Sequence, residues 1–125
     1  MKSSLICAAA AAGIAMHATI PQASALPSKS EILAPVFKSY RAEIDCLARA
    51  VYFEARSESV AGQHAVARVI LNRVDSAYYP DTVCEVVYQN QHMRNACQFS
   101  FACDGTDVTI REEDAFEKAM QVATV

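Results

Sequence analysis

Glycine is scarce in this chain. Of three in 125 residues, one lies in an apolar N-terminal run, which leaves only Gly62 and Gly105 for the rest. Proline stops at Pro80. Long strands joined by tight hairpins need such residues at their turns, so the chain is expected to be mainly helical. Basic side chains nowhere form a block, and nucleic acid is therefore not an expected partner. His-Glu-x-x-His, a Gly-rich phosphate loop and Gly-x-Ser-x-Gly are all missing, which removes the minimum parts of metalloprotease, nucleotide and hydrolase-elbow chemistry. CxxC pairs are missing too, and His64 and His92 lack ligand-like spacing, so neither a metal nor another cofactor is expected.

What is present begins with Met1 and Lys2, an Ala-rich apolar run from Leu5 to Met16, and then Ala23-Ser24-Ala25. That is the layout of a secretory signal peptide over residues 1–25. His17, Thr19, Pro21 and Gln22 interrupt the run before the roughly 18 to 20 apolar residues a spanning helix needs, with an uncleaved anchor as the alternative. Cys7 follows Ile6, where a lipoprotein signal wants a small residue. Cleavage after Ala25 leaves 100 residues, enough for one domain, with 10 basic against 14 acidic side chains. The expected location is periplasmic or extracellular, without stable membrane insertion after signal removal. Cys46, Cys84, Cys97 and Cys103 remain, an even number that reads as two disulfides in an export compartment. Three pairings are open, and a zinc site is the rival reading.

Residues 26–44, with Pro27, Pro35 and the polar Ser28-Lys29-Ser30-Glu31, read as a linker. From Asp45 onward Leu47, Ala50, Val51, Glu54 and Glu58 recur at spacings of three and four, the stripe of an α-helix. A second helix is expected from Ala61 to Val74 with Ser59 as N-cap, and a short third one opened by a Thr82/Glu85 capping box. Gln98 to Ala102 alternates polar and apolar residues, which fits a short strand or an extended loop. Another box, Thr109 with Glu112, is expected to start a last helix running through Phe116 to Ala123.

Glu54 is the anomaly, because it belongs to an apolar stripe where a carboxylate is costly unless paired or protonated. Two readings stand. In one, Glu54 pairs with Arg49, Arg56, Arg73 or a backbone donor, or the stripe is already exposed there. In the other, a cleft crosses the helix end and desolvates the carboxyl. An ordinary glutamate is almost wholly ionised at neutral pH, whereas a raised pKa keeps a protonated fraction able to donate. Glycosidic cleavage needs such an acid on the departing oxygen. A cysteine nucleophile with His64 or His92 as base is a weaker option in an oxidising compartment.

The blocks Leu47 to Glu58, Gly62 to Ala67, Val69 to Val74, Tyr79 to Cys84, Val86 to Gln89 and Cys97 to Gly105 together resemble the SleB-type cell-wall hydrolases, which include spore-cortex lytic enzymes. The likeness covers about residues 45 to 124. It implies a lysozyme-like helical domain, with a short extended or β segment near the cleft, acting on peptidoglycan glycan strands. It also implies that Glu54 stands in the family's catalytic position. Members are often lytic transglycosylases, in which the sugar's own C6 hydroxyl attacks the anomeric carbon and one carboxyl serves as acid and then base. A hydrolysing muramidase or glucosaminidase, or a catalytically silent wall-binding domain, are the alternatives. Glu58 matches a second acidic position and is assigned to support or substrate contact, with a structural salt bridge as the other reading. Gln98 and Ser100 match a Gln-Phe-Ser block, where they either face sugar or are ordinary polar surface. Asn72 and Arg73 match as well and are read as ties between helix and loop.

Two departures stand out. Ser57 occupies a position where the family usually carries glycine, and the family domain generally continues past the last helix here, so that the domain at 45–125 is expected to be shortened. The exported protein should begin at Leu26 and carry no thiol that alkylates before reduction. Intact mass and N-terminal sequencing check this, and four free thiols would remove the disulfide claim.

Overall fold

A computed structural model describes residues 26–94 and 96–124; the signal-peptide reading of residues 1–25 lies outside them. The described chain has the mainly helical architecture expected of a lysozyme-like domain. Helix α1 spans Lys29–Ala55, α2 Val60–Val74, α3 Val83–Val87 and α4 Glu113–Ala123, with one 3-10 turn at Ser100–Ala102. Among the described residues there is no strand, and no helix is long and apolar enough to cross a membrane.

The segment read as a linker is helical from Lys29 onward. Ser28 and Glu31 close a reciprocal capping box: the Ser28 hydroxyl accepts from the Glu31 N–H at 3.3 Å, and the Glu31 carboxylate accepts from the Ser28 N–H at 2.6 Å. Both orphan donors at the start of the helix are thereby satisfied. Pro35 is carried inside the helix at the cost of one backbone hydrogen bond. The first half of α1 stays outside the core, with Ile32, Val36, Phe37 and Tyr40 exposed.

Burial begins at Leu47. Ala48, Ala50 and Val51 are wholly buried, and α2, α3 and α4 all pack on this half of α1. Ile70 from α2, Val86 and Val87 from α3, Phe101 from the loop and Ala119 and Val122 from α4 complete the core. Helix α2 starts as expected, with the Ser59 hydroxyl accepting from the Gly62 N–H.

Two expected caps form differently. Thr82 accepts from the Glu85 N–H, but its hydroxyl then donates to the Glu85 carboxylate at 2.8 Å, so the reciprocal half of the box is absent. Helix α4 begins at Glu113, later than Thr109, and its N-cap Glu112 makes no side-chain capping bond. There the Tyr52 hydroxyl accepts the N–H groups of Arg111 and Glu112 at 3.3 and 3.2 Å, so a buried side chain of α1 positions the entry to α4. The expected strand or extended loop is also replaced in part. Phe99 is extended, but the chain turns into the 3-10 helix at Ser100, since Phe101 must enter the core beside Phe53 and Tyr88.

The cysteines pair as Cys46–Cys84 and Cys97–Cys103. The first joins α1 to α3 across 38 residues, and the second closes a small loop across 6. Loop-closure entropy makes the longer link the stronger stabiliser, at about 4 kcal/mol against about 2 kcal/mol. Replacing Cys46 and Cys84 together by alanine should therefore lower the urea midpoint clearly more than replacing Cys97 and Cys103; equal losses would contradict this account.

Candidate active site

Glu54 sits in the last turn of α1, directly after Phe53, and the residue as a whole is exposed. None of the expected partners meets it. Arg49 binds Asp45 at 2.8 Å, Arg56 binds Glu112 at 2.9 Å, and the Arg73 guanidinium lies over the rings of Tyr79 and Phe99 at 5.3 and 5.8 Å. Among the described residues Glu54 has neither an ion pair nor a side-chain hydrogen bond. Although the residue is exposed, its carboxyl is partly sheltered. That partial desolvation raises its pKa above the ordinary glutamate value, and the negative charge of Asp104 adds in the same direction.

Asp104 was legible in the sequence only as part of a turn. It follows the Cys97–Cys103 disulfide and precedes Gly105, whose φ of 84° bends the chain in the left-handed region. Hydrogen bonding from Thr106, including its backbone N–H at 2.7 Å, holds the Asp104 carboxyl below the usual aspartate range. The loop bearing it leans on α1 through the Phe53–Phe101 stack, with centroids 4.8 Å apart.

Glu58 lies one turn of chain beyond Glu54, in the link to α2. A side chain on Gly62 would bring a Cβ within 3.0 Å of the Glu58 Cβ, so the first turn of α2 leaves the room that Glu58 fills. Buried Gln63 reinforces the link by donating to the Glu58 carbonyl at 3.3 Å. Glu58 forms no ion pair among the described residues. Ser57 adopts no positive φ, so serine is accommodated where glycine was expected.

Gln98 is half-buried, and its N–H donates to the Gln89 carbonyl at 3.1 Å. Ser100 is exposed, and its carbonyl accepts from Cys103 and Asp104. The chain is extended at Phe99 and enters the 3-10 turn at Ser100, where the polar and apolar alternation ends. Arg73 does tie helix to loop, through aromatic rings more than through hydrogen bonds.

The concavities that stand out on the described surface lie elsewhere. One is lined by Tyr40, Leu47, Leu71 and Val83, another by Arg56, Arg111, Glu112 and Lys118. Glu54 lines neither of these.

The family described as Cell Wall Hydrolase matches residues 57–125, more than half of the chain. Spore cortex-lytic enzymes from Oceanobacillus iheyensis, Bacillus cereus and Bacillus subtilis are 55%, 53% and 49% identical to it over 47 residues. That stretch is 38% of this chain and 17%, 18% and 15% of those proteins, so the match spans less than a fifth of the relatives' length. No solved structure matches. The family match begins at Ser57, just past Glu54.

The raised pKa of Glu54 has a consequence for stability. A carboxyl whose folded pKa exceeds its unfolded value contributes stability below the unfolded value and loses it as pH rises through the folded one. Glu54→Gln does not titrate, so its melting temperature relative to the parent should rise as pH increases from about 4, the ordinary glutamate value, toward neutrality. The gain will be small because the side chain is partly exposed. Thermal unfolding across that range tests it, and a difference that stays flat or falls with pH would contradict the assignment.

Proposed function

The chain belongs to the cell wall hydrolase family, and from that premise we propose that it cleaves the glycan strands of peptidoglycan after export, with Glu54 as general acid and base. The observation that carries the reading is a carboxyl at the end of the packed half of α1, without a partner among the described residues and with its proton affinity raised by partial desolvation. Structural carboxylates in ion pairs show the opposite shift.

As a lytic transglycosylase, protonated Glu54 donates to the glycosidic oxygen while the bond from that oxygen to the anomeric carbon breaks. The sugar's C6 hydroxyl oxygen then bonds to the anomeric carbon, and its proton passes to the Glu54 carboxylate. The acid is regenerated, no water is consumed, and the product carries an anhydro ring. Glu58, supported through Gly62 and Gln63, is assigned to substrate contact beside this centre, as are Gln98 and Ser100. Hydrolysis is the second reading, favoured by the negative charge of Asp104, which adds to the effect of desolvation on Glu54, because two carboxylates are the usual equipment for activating water.

Glu54→Gln preserves size and polarity but cannot cycle a proton, so release of soluble muropeptides from purified sacculi should fall about 100-fold or more, with unchanged circular dichroism. Glu58→Gln should lose less. Mass spectrometry of the digest separates anhydro ends from reducing ends. A folded Glu54→Gln with near-native release would show that the wrong carboxylate has been named. If the parent protein releases nothing, the wall-binding alternative takes its place.

A further inference from the structure

The first half of α1 has an apolar side with nothing on it. Ile32, Val36, Phe37 and Tyr40 are 58 to 62% exposed, and helical spacing gathers them on one broad face, with Glu31, Lys38 and Arg41 on the other. An apolar face of this kind, rimmed by polar residues, marks an interaction surface, and a short helical stretch without packing is only marginally stable in water. The face runs on into a hollow of about 190 Å³ lined by Tyr40, Ile44, Leu47, Leu71 and Val83. Lys29 and Glu43 stand at its two ends, and neither has an ion pair among the described residues. The Glu43 carboxylate is held in place by accepting the Cys84 N–H on Oε2 at 3.0 Å, while its Oε1 accepts no hydrogen bond among the described residues.

We propose that this face pairs with the same face of a second copy of the chain, the two α1 helices running antiparallel about a twofold axis at Val36. In such a contact residues equally far from the axis meet. Val36 then meets Val36, and Ile32 of one copy lies against Tyr40 of the other, each four residues from the axis. Lys29 and Glu43 are each seven residues from it, so opposite charges meet at both ends of the contact. A parallel pair would set lysine against lysine and glutamate against glutamate, which repulsion disfavours. Leu26, 92% exposed just ahead of the helix, comes level with Cys46 and Leu47 of the other copy, beside the apolar hollow. A cavity of about 150 Å³ holds a benzene ring, so the hollow has room for a leucine side chain. The charged pairs lie at the rim and set direction more than strength, which the apolar pairs supply. Glu54 lies outside the paired half of α1, so the contact does not depend on its catalytic reading.

Sedimentation of the protein recovered from the export compartment, from about 1 to about 200 µM, tests the pairing. The parent should form a dimer whose population grows with concentration. Val36→Glu puts two like charges on the axis and should weaken association by about tenfold or more, while the circular dichroism of the dilute monomer stays unchanged. Lys29→Glu alone should weaken it about threefold or more, and Lys29→Glu combined with Glu43→Lys should restore the parent value. Glu43→Gln keeps an acceptor for the Cys84 N–H and gives the loss by itself should Glu43→Lys not fold. A parent that stays monomeric overturns the proposal, as does a dimer that Val36→Glu leaves intact or a folded charge-swapped variant that fails to recover. A monomer that cosediments with phosphatidylglycerol vesicles, and ceases to in Val36→Glu, overturns it in favour of a lipid surface.

Discussion

Ala48, Ala50 and Val51 expose no surface, which encloses α1 on more than one side at this level, and α2, α3 and α4 all pack against it. Small side chains there let α2, α3 and α4 approach closely enough for Ile70, Val86, Val87 and Ala119 to fill the space between them. Tyr52 reaches through the core to hold the entry of α4, and Phe53 receives Phe101 from the disulfide loop. Glu54 is the next residue, so the position of the candidate acid follows from packing two residues earlier.

Around Glu54 the cations are occupied elsewhere. Arg49 and Arg56 have their own carboxylates, and Arg73 is engaged by Tyr79 and Phe99. A free arginine would stabilise the ionised form and lower the proton affinity, which is useless for an acid. The arrangement instead leaves partial desolvation and Asp104 as the two influences, both acting to retain the proton. The disulfides serve different ends: Cys46–Cys84 ties α3 to the central helix, whereas Cys97–Cys103 shapes the loop that presents Asp104.

Much of this was readable locally. The stripe Leu47, Ala50, Val51, Glu54 announced a helix with a carboxylate out of place, and Ser59 announced the start of α2, because caps and 3.6-residue periodicity are local properties. The first half of α1, which stays outside the core, also carries a helical signal. Ser28 and Glu31 have capping-box spacing and precede Ile32, Leu33, Val36 and Tyr40 at helical intervals, but Pro35 and the polar start pointed to a tether. The Thr109/Glu112 spacing was misleading in the other direction, since the Tyr52 hydroxyl supplies the acceptor that a cap would have supplied.

The sequence by itself determined the helical class, the family and the residue on which attention falls, since each depends on which side chains follow one another along the chain. Only the tertiary structure decided which cysteines pair, that Glu54 finds no arginine among the described residues, and that partial desolvation, with the charge of Asp104 added to it, raises its proton affinity. These are outcomes of how the loop and α4 settle on the end of α1. Packing of Phe101 and Tyr52 sets them, and no spacing along the chain encodes a meeting between residues so far apart.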